Sequence, residues 1–287
     1  MKFSILPLLP TLIAGVTALP KPAENLTKRD APKLYLAGDS TMAKNGGGAG
    51  TGTEGVLNSQ HICKCVRADL LRSPGWGQYL GYSLDIEVIN DAIGGRSARS
   101  FTNEGRFQAI IDVVEPGDFV VIEFGHNDGG SLSTTDNGRT DCFGDGEETC
   151  ISPTTGETVY TFVFYEVEAG KALQAKGANV IMSSQTPDNP WETGTFEYTP
   201  SRFVGYAKTA ADAIGASYVD HGQYVADRFE ALGAAAVDAF YPNDHTHTSP
   251  EGADVVSAAF VKSVLCANDV LAAHVKNTTS SVPGSCV

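Results

Sequence analysis

The strongest constraint on the fold is the alternation of short apolar runs with longer amphipathic stretches. Five runs have the length and composition of buried β-strands: Lys33–Ala37, Asp85–Asn90, Asp118–Phe124, Asn179–Ser183 and Ser217–Asp220. Helix-like stretches precede the last three of them, over Phe101–Val114, Tyr165–Lys176 and Ser201–Ile214. A fourth helix is predicted from Pro250 to about Cys266, with Ser249 as its cap. Because strands that alternate with helices form parallel sheets covered on both faces, we expect a single three-layer α/β/α domain. Its central sheet is predicted to be five-stranded and mostly parallel.

The first 29 residues have the pattern of a processed leader. Residues 1–18 combine a basic start with an apolar segment and end in Val16-Thr17-Ala18, which resembles a signal-peptidase site. Residues 19–29 end in the dibasic pair Lys28-Arg29, which predicts a propeptide. We therefore expect a secreted, extracellular protein whose mature domain spans residues 30–287.

The charge and the cysteines narrow the choice of partners. A formal net charge of −14 argues against nucleic acid and against anionic membranes. Six cysteines in a secreted chain predict disulfides, and the natural pairs are Cys142–Cys150 and Cys266–Cys286. Metal binding is the alternative, but no two cysteines have the CxxC spacing typical of zinc sites. Asn277 begins a glycosylation sequon.

Four polar blocks lie where predicted strands end or just before the last predicted helix. They are Gly38-Asp39-Ser40, Asn90–Ser97, Gly125-His126-Asn127-Asp128 and Asp244-His245-Thr246-His247. Open α/β sheets bind their ligands at the carboxyl ends of the strands. Taken singly, each block also has an ordinary structural explanation, such as a helix cap at Ser40 or a turn residue at Asn127.

Taken together, the blocks supply the groups of a serine hydrolase. The Ser40 hydroxyl needs a base to become a nucleophile. His247 lies three residues after Asp244, so the carboxylate can orient one ring nitrogen while the other faces Ser40. The backbone N–H groups around Gly95 and the side-chain amide of Asn127 can donate to a developing oxyanion. His245 is the competing base, and the His and Asp side chains of this loop would also suit a metal.

The four blocks, in this order, resemble those of the SGNH, or GDSL-type, hydrolases. The longer stretches Tyr35–Gly48, Glu123–Ser133 and Asp244–Pro250 are similar to the fungal rhamnogalacturonan acetylesterase family. The resemblance implies a flavodoxin-like fold with Ser40 as nucleophile, His247 as base and Asp244 as its orienting carboxylate. It also implies an oxyanion hole formed by the Ser40 and Gly95 N–H groups and the Asn127 side chain. The two cysteine pairs resemble the bridges of that family.

The activity that the resemblance implies is removal of acetyl groups from an acetylated pectic polysaccharide without a cofactor. We expect the protein to act as a monomer and to bind no metal. An acetyl esterase acting on xylan or another polysaccharide is one alternative, and a catalytically silent carbohydrate-binding protein is another. Because the chain is acidic, we expect Arg96 and Arg99 to offset the charge where a uronate approaches.

Residues 52–73 depart from the resemblance. They interrupt a stretch that is otherwise similar on both sides, and they contain the two unpaired cysteines, Cys63 and Cys65. We interpret this atypical insertion as a retained intron in the gene model. The alternative is a surface loop near the rim of the active site that alters the choice of substrate.

Overall fold

The computed structural model describes residues 31–45 and 74–287. The predicted signal peptide, the predicted propeptide and the insertion with Cys63 and Cys65 lie outside the described residues, and they remain predictions.

Seven strands are present in the described part of the chain. They are β1 (Lys33–Gly38), β2 (Glu87–Asn90), β3 (Phe119–Glu123), β4 (Thr149–Ile151), β5 (Thr158–Tyr160), β6 (Asn179–Ser183) and β7 (Ser217–Val219). Five of them form the central sheet in the order β2-β1-β3-β6-β7, and all four neighbouring pairs are parallel. The predicted sheet is thus confirmed and is wholly rather than mostly parallel. Strands β4 and β5 form a separate antiparallel hairpin that the sequence pattern did not indicate.

Seven α-helices accompany these strands among the described residues. They are α1 (Ala98–Asn103), α2 (Arg106–Val113), α3 (Phe162–Ala175), α4 (Arg202–Ile214), α5 (His221–Leu232), α6 (Ala234–Phe240) and α7 (Pro250–Ala267). The prediction of one helix over Phe101–Val114 is wrong, because Gly105 adopts a left-handed conformation with φ of 70° and separates α1 from α2. Helices α5 and α6 were not predicted.

The core lies on both faces of the sheet. Since side chains alternate along a strand, Leu34 and Leu36 point to one face while Tyr35 and Ala37 point to the other. The first face is covered by α5, α6 and α7, and the second by α1 to α4. These two apolar layers give the predicted three-layer architecture.

A buried polar network connects the carboxyl ends of β3 and β6 to two of the helices. Glu123, the last residue of β3, accepts hydrogen bonds from Trp76 Nε1 at 3.0 Å and from the Ser183 hydroxyl at the end of β6. Its carboxyl group also lies 2.8 Å from Nδ1 of His221, whose Nε2 is 2.9 Å from the carbonyl oxygen of Val256. The network therefore joins β3 and β6 to α5 and α7.

Both predicted disulfides are present. Cys142–Cys150 closes the loop that leads into β4, and Cys266–Cys286 joins the last turn of α7 to the C-terminal segment. Asn277 is half-buried in a bend, and its glycosylation remains a prediction. None of the helices within residues 31–45 and 74–287 is long and apolar enough to cross a membrane.

Candidate active site

Ser40 lies in a tight turn directly after β1. The Asp39 carboxylate shapes the turn by accepting hydrogen bonds from the backbone N–H and the hydroxyl of Thr41, both at 2.9 Å. Burial raises the pKa of Asp39, whose side chain faces the interior. Ser40 itself is buried, with 8% of its surface exposed.

His247 and Asp244 complete a chain of hydrogen bonds with Ser40. Nε2 of His247 lies 2.8 Å from Ser40 Oγ, and its Nδ1 lies 2.8 Å from Asp244 Oδ2. The other carboxylate oxygen of Asp244 accepts the backbone N–H groups of Thr246 at 2.8 Å and His247 at 2.7 Å. Partial burial opposes ionisation of Asp244, but these hydrogen bonds outweigh it and lower the pKa of the carboxyl group. The loop then enters α7, where the Ser249 hydroxyl caps the helix at Gly252 N and Pro250 occupies the first position.

His245, the competing base, points elsewhere. Its Nδ1 lies 3.2 Å from Glu192 Oε1, and its side chain is 54% exposed. The structure therefore brings His247, and not His245, against Ser40. As for the metal alternative, the described residues contain no group of three or more His, Cys, Asp or Glu side chains arranged to hold an ion.

Gly95 and Asn127 lie on the loops that follow β2 and β3. Gly95 has φ of 77° in a turn closed by a hydrogen bond from Arg96 N to Ile93 O, a conformation that favours glycine. Asn127 Nδ2 donates to the carbonyl oxygen of Arg96 at 3.1 Å, and its second N–H has no acceptor among the residues that the structure describes. Within residues 31–45 and 74–287, the backbone N–H groups of Ser40 and Gly95 have no hydrogen-bond acceptor.

Asp128 fastens the Asn127 loop to the start of α1. It is buried and accepts the backbone N–H of Ala98 at 2.7 Å. Burial raises the pKa of its carboxyl group well above the usual range. Because Ala98 follows the Gly95 turn by three residues, this contact ties together the two loops that carry Gly95 and Asn127.

The prediction that Arg99 faces an approaching uronate is wrong. Its side chain is fully buried and bonds to Asp136, to Glu157 and to the carbonyl oxygen of Thr140. A buried arginine needs such partners because a lone buried charge is costly. Arg96 is partly exposed, but its Nε lies 3.1 Å from a carboxylate oxygen of Glu104, which offsets its charge.

Sequence reasoning missed two groups of side chains near the site. The first is the Glu123–His221–Trp76 network, which was detectable only as an acidic residue closing an otherwise apolar strand. The second is Arg139, whose Nη1 lies 3.1 Å from Gly95 O and 3.3 Å from Asn127 Oδ1. Nothing in the sequence near Arg139 indicates these contacts, because they span 44 and 12 residues.

A parallel sheet between two layers of helices, with a serine, a histidine and an aspartate hydrogen-bonded in series at its carboxyl edge, has the arrangement of a serine hydrolase. A profile of the GDSL-like lipase/acylhydrolase family matches residues 36–255, and the chain belongs to that family.

Individual relatives agree with this assignment. The chain is 54% identical to a rhamnogalacturonan acetylesterase of Emericella nidulans, over 90% of this chain and 94% of that protein. It is 28% identical to the probable rhamnogalacturonan acetylesterase YesY of Bacillus subtilis, over 82% and 93% of the two chains. A crystal structure of the YxiM protein of Bacillus subtilis has the same fold, with a TM-score of 0.61 at 21% identity, and the match covers 84% of this chain and 58% of that one.

Proposed function

We propose that this protein is an extracellular serine esterase that removes acetyl groups from rhamnogalacturonan. The observation that carries the proposal is the hydrogen-bonded series Ser40–His247–Asp244. The proposed substrate is supported by the 54% identity to the rhamnogalacturonan acetylesterase of Emericella nidulans, which extends over 90% of this chain and 94% of that protein.

The first half of the reaction transfers the acetyl group to the enzyme. His247 Nε2 takes the proton of Ser40 Oγ, and the oxygen attacks the carbonyl carbon of the acetyl ester. Asp244 holds the imidazole so that its Nδ1 keeps a proton, and it stabilises the imidazolium that forms. The tetrahedral intermediate collapses when the carbon–oxygen bond to the sugar breaks. The sugar hydroxyl leaves with the proton that His247 returns.

The second half of the reaction releases acetate. His247 takes a proton from water, the resulting hydroxide attacks the acetyl-Ser40 ester, and the proton returns to Ser40 Oγ as the bond breaks. In both halves the negative charge develops on the carbonyl oxygen. The N–H groups of Ser40 and Gly95 and the open N–H of Asn127 are the donors proposed for it.

Three features support two further parts of the proposal, that the protein is secreted and that it acts as a monomer. The described chain has two disulfides, which persist in oxidising compartments. Its triad is complete within one chain, so a monomer suffices for the chemistry. The N-terminal pattern of residues 1–29 predicts export.

Acetate release from two acetylated polymers tests the proposal. We expect the purified protein to release acetate from acetylated rhamnogalacturonan faster than from acetylated xylan, and Ser40→Ala to release none from either. Faster release from xylan would overturn the proposed substrate and leave the esterase mechanism intact. Absence of release from both polymers, with binding retained, would indicate a carbohydrate-binding protein.

A further inference from the structure

Arg139 contacts Gly95 and Asn127, two of the three residues proposed to form the oxyanion hole. Its Nη1 donates to the carbonyl oxygen of Gly95 at 3.1 Å and to Asn127 Oδ1 at 3.3 Å. The side chain is half-buried and forms no ion pair with a carboxylate in residues 31–45 and 74–287. The described hydrogen bonds of its guanidinium group therefore go to Gly95 and Asn127, the two residues proposed as oxyanion donors beside Ser40.

The guanidinium group favours one orientation of the Asn127 amide, the same one that the Arg96 carbonyl oxygen favours as a hydrogen-bond acceptor. A side-chain amide can be rotated by half a turn, which exchanges its oxygen and nitrogen. Arginine only donates hydrogen bonds. It can therefore bond to Asn127 when Oδ1 faces it, and it cannot do so when the NH₂ group faces it. That orientation places Nδ2 at the Arg96 carbonyl oxygen, 3.1 Å away, and leaves the second N–H for a ligand.

The same group steadies the turn that carries Gly95. Gly95 has a left-handed conformation, and its carbonyl oxygen is held by Arg139 while the turn is closed by Arg96 N. One nitrogen of Arg139 therefore fixes two of the three proposed oxyanion donors relative to each other.

The loop that carries Arg139 is anchored on both sides. Before it, the Asp136 carboxylate accepts the Gly138 N–H at 2.9 Å and binds the buried Arg99. After it, the Thr140 carbonyl oxygen accepts from Arg99 at 2.8 Å, and Asp141 N donates to Asp128 O at 2.9 Å. The buried Arg99 thus holds the backbone on each side of Arg139 in place.

We propose that Arg139 is a positioning residue that fixes the orientation of the Asn127 amide beside the Gly95 turn, and so keeps the oxyanion hole ready for the transition state. The inference rests on the proposed function, since it assumes that Gly95 and Asn127 serve an acyl-transfer reaction. It assigns to Arg139 an effect on kcat that is exerted through Asn127.

A double-mutant cycle tests the inference. The enzymes compared are the wild type, Arg139→Met, Asn127→Ala and the double variant, all assayed on a neutral acetyl ester such as p-nitrophenyl acetate. Asn127→Ala is expected to lower kcat about 10²–10³-fold, as the loss of an oxyanion donor does. We expect Arg139→Met to lower kcat at least about 10-fold with KM within about 2-fold, which is the pattern of a lost transition-state interaction. In the Asn127→Ala background the same change should lower kcat by much less, because the amide it positions is gone.

Two further variants make the test independent of folding and of charge. Arg106→Met removes one positive charge from a surface arginine that lies 3.1 Å from Glu104, and we expect it to leave kcat unchanged. Arg139→Lys keeps a donor but not the planar fork, and we expect it to recover part of the lost kcat. If Arg139→Met does not fold, the lysine variant and its own cycle with Asn127→Ala decide the matter.

The results that would overturn the inference are distinct from those that would overturn the proposed function. An unchanged kcat in Arg139→Met, or equal losses in the presence and absence of Asn127, would show that Arg139 does not act through the amide. A rise in KM confined to uronate-bearing acetyl esters would make Arg139 a binding site for the substrate carboxylate instead. Failure of the wild type to deacetylate rhamnogalacturonan would overturn the proposed substrate, while the cycle on the neutral ester would still decide the role of Arg139.

Discussion

Replacing Asp244 by asparagine isolates the role of the proposed orienting carboxylate. In the wild type, the backbone N–H groups of Thr246 and His247 lie 2.8 and 2.7 Å from Asp244 Oδ1. The side-chain oxygen of asparagine can accept the same two hydrogen bonds. Its NH₂ group replaces Oδ2, which is 2.8 Å from Nδ1 of His247. Because an NH₂ group only donates, Nδ1 must become an acceptor, and the ring proton then moves to Nε2. A protonated Nε2 that faces Ser40 Oγ cannot take the hydroxyl proton.

The size of the loss follows from this change of tautomer. General-base assistance contributes about 10²–10⁴ in rate, and the equivalent substitution in a serine protease lowers kcat by about 10⁴. At about 1.36 kcal/mol per factor of ten, this corresponds to about 2.7–5.4 kcal/mol of transition-state stabilisation. The Asp244 side chain is 38% exposed, so water can reach the site and partly replace the lost carboxylate. We therefore expect a loss of transition-state stabilisation nearer the lower end of this range.

The assay measures kcat for acetyl ester hydrolysis in the Asp244→Asn variant and in a matched control. His245→Ala changes the adjacent exposed histidine of the same loop, whose Nδ1 lies 3.2 Å from Glu192 Oε1. We expect the control to keep nearly full activity. If kcat of the Asp244→Asn enzyme stays within about threefold of the wild type, the loss is less than about 0.7 kcal/mol and the reasoning is refuted. A His245→Ala enzyme that loses its activity would refute it as well.

Three other predictions concern stability and the insertion. Burial raises the folded-state pKa of Glu166 well above 4.5, so its carboxyl group favours folding below about pH 4.5 and loses that contribution as the pH rises towards the folded-state pKa. Glu166→Gln should therefore raise the melting temperature at pH 7, with a difference that shrinks towards pH 4; an equal difference at both values would contradict this. Removing the Cys266–Cys286 disulfide, whose cysteines are 20 residues apart, should lower the free energy of unfolding by about 3.3 kcal/mol. Removing Cys142–Cys150, whose cysteines are 8 residues apart, should lower it by about 2.5 kcal/mol. Chemical denaturation of the two double-alanine variants measures both losses. Peptide mapping of the protein should yield no peptide from residues 56–70, since a peptide from that range would rule out a retained intron.

The sheet was predictable because its signal is local. The apolar runs around Leu34, Val121 and Ile181 are short and rich in aliphatic residues, and each is a strand of the sheet. The helices were harder to delimit, since Gly105 divides an apparently continuous pattern by adopting a positive φ. Helix α5 was missed because it starts with His221, a polar residue that tertiary contact with Glu123 makes part of the core.

The candidate site divides in the same way. Ser40, Asn127, Asp244 and His247 were named from the sequence because each sits in a block that follows a strand or precedes a helix. Arg139 was not, because its position depends on Arg99 anchoring a loop from 37 to 41 residues away. Arg99 itself was misjudged, since the charge of a residue does not reveal that Asp136 and Glu157 will enclose it.

Identification of the acylated residue tests the central claim most directly. The enzyme is mixed with an excess of acetyl ester, quenched in acid within the first turnover and digested, and the peptides are examined by mass spectrometry. Our account predicts one acetyl group on the peptide that contains Ser40, located on its side chain, and none in the Ser40→Ala variant. An acetyl group carried by another residue, or rapid turnover in Ser40→Ala, would contradict it.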